Sequence, residues 1–331
     1  MKLINAILKS HTSHQKYEIK FELKKKHIIP TLIVHGGVGN NLSRLAPNKM
    51  EEVKRAAMVG YKAMTRSGSV IGGIEEAMNY MEECPEFNIG VGSMINDENE
   101  IEMDASIMDG RGLRVGAVGC AKNILHPTSL ARGVMDFTPH VLISDEGIKY
   151  FAKYAKTRFL NNDLLITDLA RDLFQNPYDN CDVGNAGVIA IDHDGHLAAA
   201  TGNAGQPKKP AGSLTEAARV GCGIYADNNI GAVAVAGNSQ HLMKFLLAFK
   251  VYKSMMYGLN PKDALKENLL YLNAKFSSNG GGIVLSKWGD AAIHYTTPQM
   301  AWAFQRGDKV YFGLNKGEMF VEKSCYNKSA Y

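Results

Sequence analysis

Long apolar runs are missing from this chain. No stretch approaches the roughly 20 residues needed to cross a bilayer, so no membrane-spanning helix is expected. Cysteine is scarce, with five in 331 residues: Cys84, Cys120, Cys181, Cys222 and Cys325. The count is odd, and neither a CxxC pair nor a Cys/His cluster occurs. A disulfide framework and a zinc site are therefore not expected, and reduced thiols in the cytoplasm are. Net charge is slight as well. A formal +4 over this length is too weak to imply nucleic acid or an acidic membrane as partner. The only dense basic run, Lys24-Lys25-Lys26, reads as a solvated lead-in to the first strand. A signal peptide is not expected, because the apolar stretch within Met1–Lys9 is short, is broken by Asn5 and lacks a small-residue cleavage site. Residues 1–27 read as a polar extension. Gly36-Gly37-Val38-Gly39 lacks both the Lys-Ser/Thr of a P-loop and the spacing of a dinucleotide fingerprint.

What is present suits a globular protein with a core: 45% hydrophobic and 21% charged residues. Ile28–His35 predicts a buried strand that enters a glycine turn. Residues 49–66 and 70–83 space their apolar residues as two helices. Strands are expected at Met94–Asn96, Ile101–Asp109, Val115–Cys120 and His140–Ile143. Helices are expected at Thr128–Met135, capped by Thr128 or Ser129, and at Gly147–Tyr154. Residues 156–183 read as a connector with one helix near Leu164–Phe174. Gly187–Asp192 and Leu197–Thr201 flank Asp194-Gly195, read as the two-residue turn of a hairpin. A glycine-rich strand pair follows at 220–225 and 231–236. Helices are expected at Ser239–Tyr257 and Pro261–Leu272. Four strands close the chain, at Gly282–Leu285, Ala291–Thr296, Ala301–Gln305 and Lys309–Phe312. Hairpins in both halves argue against an all-parallel sheet, and two antiparallel sheets covered by helices satisfy the pattern.

Several blocks carry a resemblance when taken together. They are His35-Gly36-Gly37, the loop Phe87-Asn88-Ile89-Gly90-Val91-Gly92-Ser93, the block Glu102–Gly110, His126-Pro127, Leu130-Ala131-Arg132 and Thr138–Leu142. Asp194–Thr201 and Gly221–Asp227 continue the series. In order and spacing, from about residue 30 to 315, the chain resembles the isoaspartyl peptidase / L-asparaginase family of N-terminal nucleophile hydrolases. That resemblance implies an α+β fold, a four-layer αββα sandwich. It implies one domain over residues 28–331, with an α-subunit-like half (28–184) and a β-subunit-like half (185–331). Active members cut their own chain before a threonine, whose hydroxyl then attacks an amide while its freed amine acts as base. A homodimer or a mixed dimer with a related chain is implied too, and a small amino-acid-like ligand is a further expectation. The loop at Glu83, Phe87, Ile89 and Val91 resembles one whose backbone carbonyls hold sodium; no other cofactor is expected.

The resemblance puts Asn185 at the threonine position, in Gly184-Asn185-Ala186-Gly187. A carboxamide has no hydroxyl to activate. It forms no acyl-enzyme and undergoes no N–O acyl shift. The family's second threonine falls on Asn203 and its third on Ala236, beside a retained Gly237. Its substrate-carboxylate arginine falls on Ser213, and the aspartate that pairs with the substrate amine falls on Glu216. A bidentate guanidinium is the usual holder of an α-carboxylate, and serine brings no charge. Lys208, Lys209 and Arg219 lie near in sequence and are expected at the surface. The resulting expectation is an uncleaved, inactive relative with a binding or assembly role. The alternative is an amidohydrolase acting on L-asparagine or β-aspartyl peptides with a changed nucleophile, for which Cys181 is the nearest thiol.

Overall fold

The computed structural model describes residues 28–176 and 184–324. Cys181, Cys325 and the extension 1–27 lie outside the described residues. The chain opens with β1 (Thr31–Gly39), a short α1 (Leu42–Leu45), and the helix pair α2 (Lys49–Ser67) and α3 (Val70–Glu83). Then come β2 (Met103–Asp109), β3 (Arg114–Ala121), α4 (Pro127–Phe137), β4 (Leu142–Ser144), α5 (Glu146–Tyr154) and α6 (Asp168–Gln175). The second half holds β5 (Ala186–Ile191), β6 (Leu197–Asn203), β7 (Ile224–Asp227), β8 (Gly231–Gly237), α7 (Ser239–Phe245), α8 (Leu247–Met256) and α9 (Pro261–Phe276). It closes with β9 (Gly280–Ser286), β10 (Ala291–Tyr295), β11 (Gln299–Arg306), β12 (Lys309–Asn315) and β13 (Phe320–Lys323).

Nine strands form one sheet in the order β13-β12-β11-β1-β5-β6-β2-β3-β4, and four form another in the order β10-β9-β8-β7. Every pairing is antiparallel except β3 with β4. The two-residue period of a strand then sorts side chains into three cores. Leu32 and Val34 of β1, with Val188 and Ala190 of β5, face Val53, Ile74 and Met78 of the helices. Ile33, Ile189 and Ile191 point the other way and meet Ile224, Ala234, Ile283 and Leu285 of the small sheet. Val233, Val235 and Val284 leave the far side of that sheet to pack on Leu242, Val251, Leu265 and Leu269. Helix, sheet, sheet, helix is the result, the αββα arrangement expected. Each fully buried aliphatic side chain contributes about 1.5–3 kcal/mol. A register slip of one residue in β1 would exchange two of the cores and is strongly opposed.

Several local expectations are corrected. β1 does not end at the glycines; it runs to Gly39 through an irregularity between His35 and Val38. Asp194-Gly195 is not a two-residue turn, since Ile191 pairs with Leu197 and five residues loop out. The Asp192 carboxylate accepts from the amides of Asp194 and His196 at 2.9 Å each and so organises that longer loop. Met94–Asn96 makes only an isolated bridge, Ile95 to Ile101, and the strand starts at Met103. The helix expected over Ser239–Tyr257 is two helices, broken where Leu246 takes φ +56°. At α4 neither Thr128 nor Ser129 caps; His126 is the cap residue, and the Glu82 carboxylate accepts from the Thr128 amide at 3.0 Å. β13 was not expected, because all four of its residues are exposed and carry no burial signal. No helix among the described residues is long and apolar enough to cross a membrane.

Candidate active site

Three elements bring the expected residues together. β5 and β6 are neighbours, so Asn185, one residue before β5, lies near Asn203 at the end of β6. Glu216 begins a short 3-10 turn, Glu216–Ala218, capped by the Thr215 side chain. Asp104 of β2 fixes that turn by accepting from the Thr215 amide at 2.5 Å and from the Cys120 amide at 2.8 Å. Asp104 is therefore a positioning group for the loop that presents Glu216.

All three side chains are buried: Asn185 is 2% exposed, Asn203 4% and Glu216 0%. The Asn185 amide nitrogen donates to Glu216 Oε1 at 2.8 Å and to the Val235 carbonyl at 2.9 Å. Thr201 Oγ lies 3.4 Å from the same nitrogen and itself donates to the Ala186 carbonyl at 2.7 Å. The Asn203 amide nitrogen lies 3.1 and 3.3 Å from the two Glu216 oxygens. Two carboxamides thus enclose one carboxylate. Burial pushes the Glu216 carboxyl above its ordinary range, while hydrogen bonds from Ser239 and Asn203 oppose the rise. The Asn185 oxygen has no hydrogen-bond partner among the described residues.

A cleft of about 20 Å³ opens here, lined by Asn88, Gly184, Asn185, Asn203, Gly237 and Ser239, among others. That volume holds about one water molecule. Among the described residues that line it, none is basic. Ser213 is half-buried in the following loop and does not line the cleft. Ala236 turns its side chain into the core between the sheets, while Gly237 stays at the cleft. Of the three candidate replacement cations, Lys209 is not at the surface as expected. It is 7% exposed and donates to the Glu102 carbonyl at 3.1 Å, beside Asp104. Lys208 lies over the Phe174 ring, and Arg219 is exposed.

Sequence reasoning assigned no role to Asn88 or Ser239. Asn88 donates to Asn203 Oδ1 at 3.1 Å and to the Gly205 carbonyl at 2.7 Å, and accepts from the Met94 amide. Its place in the Phe87–Ser93 block was the available signal. Ser239 Oγ lies 3.3 Å from the Asn203 nitrogen, and no spacing in the sequence indicates it.

The peptide link before Asn185 is closely enclosed. Gly37 has φ +96° and Gly184 φ +68°, and a Cβ added to Gly37 would meet the Gly184 Cα at 2.6 Å. Only glycine permits this approach. In the neighbouring loop, Gly90 and Gly92 also have positive φ; a Cβ on Gly92 would lie 2.5 Å from the Pro85 carbonyl oxygen and 2.8 Å from that of Phe87. The loop's own hydrogen bonds use the carbonyls of Glu82, Cys84 and Gly90, and Asn88 O accepts from Ala204. Of the four carbonyls expected for sodium, that of Phe87 lies in this crowded turn.

The family model described as Asparaginase matches residues 28–177 and 171–313. The isoaspartyl peptidase/L-asparaginase of Xenopus laevis is 37% identical over 297 residues, covering 87% of this chain and 96% of that protein. That of Danio rerio is 36% identical over 305 residues, 89% and 98% of the two chains. The human isoaspartyl peptidase/L-asparaginase is 34% identical over 302 residues, 88% and 98% of the two chains. With two full-length sheets in the expected sandwich and this degree of likeness along them, the chain belongs to the asparaginase family, that of the isoaspartyl peptidase/L-asparaginases.

Proposed function

We propose that this protein is an uncleaved, non-hydrolysing member of its family whose role is binding or assembly. One observation carries the reading: the Asn185 amide, at the position the resemblance assigns to the attacking hydroxyl, donates to Glu216 and to the Val235 carbonyl. An amide nitrogen so engaged has its lone pair delocalised and its hydrogens committed, so it offers no nucleophile. Two further facts support the reading. The cleft holds about one water, and among the described residues the one ionisable side chain bonded to Asn185 is the acidic Glu216. An α-carboxylate entering there would meet like charge instead of a guanidinium.

The proposal includes self-association or pairing with a related chain, in the reducing cytoplasm, where Cys84, Cys120 and Cys222 stay free as they are here. An amino-acid-like ligand belongs to it only with the cleft opened beyond its present size. It also includes a structural sodium on the carbonyls of Glu83, Phe87, Ile89 and Val91; Phe87 sits in the crowded turn at Gly92.

Intact mass and denaturing electrophoresis of the purified chain, with assays on L-asparagine and a β-aspartyl dipeptide, test the central claim. One uncut chain and no turnover is the expected result. Two fragments meeting near residue 185, together with hydrolysis, would establish the rival amidohydrolase.

A further inference from the structure

The chain between Asn203, at the end of β6, and Glu216 forms neither helix nor strand. Near its start, Gly205 and Gln206 line the cleft. Its last part is fixed. Leu214 packs where a Cβ on Gly119 of β3 would lie 2.6 Å from its side chain, and Asp104 holds the Thr215 amide. Between these points, residues 205–212 bury little. Lys209 is the one buried residue of that span, while Gln206, Lys208, Pro210 and Gly212 are exposed.

What holds 205–212 down is a row of polar groups on the segment 95–102. The Lys208 amide donates to the Ile95 carbonyl at 2.8 Å, and the Asp97 amide to the Lys209 carbonyl at 3.0 Å. The Asp97 carboxylate accepts from the Ala211 amide at 2.8 Å, and the Glu102 carboxylate from the Gly212 amide at 2.9 Å. Lys209 Nζ reaches the Glu102 carbonyl at 3.1 Å. An element attached by hydrogen bonds, with little apolar burial, belongs to the low end of local stability. Pro207 and Pro210 fix two backbone angles within it, so it moves as a piece. Gly205, at φ +85°, lies where this piece leaves the cleft and supplies the pivot.

We propose that residues 205–212 are a strap that closes the cleft, and that Asp97 and Glu102 are the positioning residues that keep it shut. The inference rests on the binding role proposed above and adds how a ligand enters. Shut, the strap leaves about 20 Å³, room for one water. Released from 95–102, it withdraws Gly205 and Gln206 while Asn203 stays bonded to Asn88 and the Glu216 turn to Asp104. The widened cleft presents the carboxamides of Asn88, Asn185 and Asn203 and, among its described lining residues, no cation. A small neutral amide fits that lining, donor to acceptor and acceptor to donor. Its apparent affinity then scales with the fraction of molecules whose strap is open.

Amide hydrogen exchange read by NMR, on the full chain and on Asp97→Ala, tests this, with acetamide as the ligand probe. Asp97 is exposed, so the variant keeps the fold. In the wild type the amides of Lys208, Ala211 and Gly212 should share one protection factor, well below those of β5 and β6. In the variant all three should lose protection together, by roughly tenfold, although Lys208 and Gly212 keep their own acceptors. Apparent affinity for acetamide should rise by the same factor. Loss of protection at Ala211 alone overturns the proposal, since it shows a single bond and no strap. Unchanged acetamide affinity beside a loosened span overturns it too, as does wild-type protection equal to that of β5. Intact mass on the same samples separates the two readings. Fragments meeting near residue 185 would overturn the non-hydrolysing role and leave the exchange result to judge the strap.

Discussion

The amide nitrogen of Asn185 lies 2.8 Å from Glu216 Oε1, and both residues are buried. Electrostatically the pair is one donor satisfying one carboxylate. Asn185→Asp would replace the donor with a second carboxylate at the same distance. At pH 7 we expect a loss of about 3–5 kcal/mol in urea unfolding. The pair's folded pKa values would be raised above the unfolded ones. The penalty is then absent below pH about 4 and grows as pH rises through the raised values. The gap between wild type and variant should therefore narrow from pH 7 to pH 4.5; a gap independent of pH would refute the pairing.

Restoring the hydroxyl alone should not restore the chemistry. Asn185→Thr supplies a hydroxyl but leaves Asn203 and Ala236 at the two other positions where the family resemblance expects a hydroxyl, and Ser213 where it expects an arginine. The expected outcome is an intact chain by mass spectrometry after prolonged incubation, with no turnover of L-asparagine. Cleavage before residue 185 in this single variant would show that one side chain, and not a dismantled site, blocks processing.

A methyl group at Gly184 has nowhere to go. Its Cβ would sit 2.5 Å from the Gly37 Cα, and the residue's φ of +68° already disfavours a side chain. Gly184→Ala is expected to cost at least about 2–3 kcal/mol, read from the urea midpoint at constant m-value. Gly112, which also has positive φ but open space around it, is the control; Gly112→Ala should cost about 1 kcal/mol. Equal costs would mean that the close backbone approach contributes nothing.

Burial lowers the His35 pKa to about 3, so the folded protein keeps this ring neutral. The unfolded chain takes up a proton at about 6.5. The unfolded state then binds more protons between those values, so stability rises with pH across that window and is lost as the pH is lowered. By pH 4.5 the loss from this ring alone is on the order of 2–3 kcal/mol. His35→Gln should flatten the dependence of the melting temperature on pH between 6.5 and 4.5. An unchanged slope would assign the acid sensitivity to carboxylates instead.

The layered architecture was legible because each β1 and β5 residue alternates between two apolar surroundings, a pattern sequence records directly. Convergence of Asn185, Asn203 and Glu216 was legible only through resemblance, since nothing in their local spacing says that a 3-10 turn meets two strand ends. Lys209 was misplaced because a lysine after Gln206-Pro207-Lys208 reads as solvated. Its burial depends on the Glu102 carbonyl and Asp104, more than 100 positions away. The break at Leu246 was missed for a similar reason: leucine carries no left-handed preference, and packing of Leu242 and Leu247 against the small sheet imposes the turn.

The large sheet interleaves the two halves of the chain. β1 from the first half lies between β11 and β5 from the second, and β2 from the first pairs with β6 from the second. Severing the backbone at residue 184 would therefore release nothing. The pieces would remain laced through three ladders, so size under native conditions is blind to such a cut, and each half without the other would be left with sheet edges it cannot close.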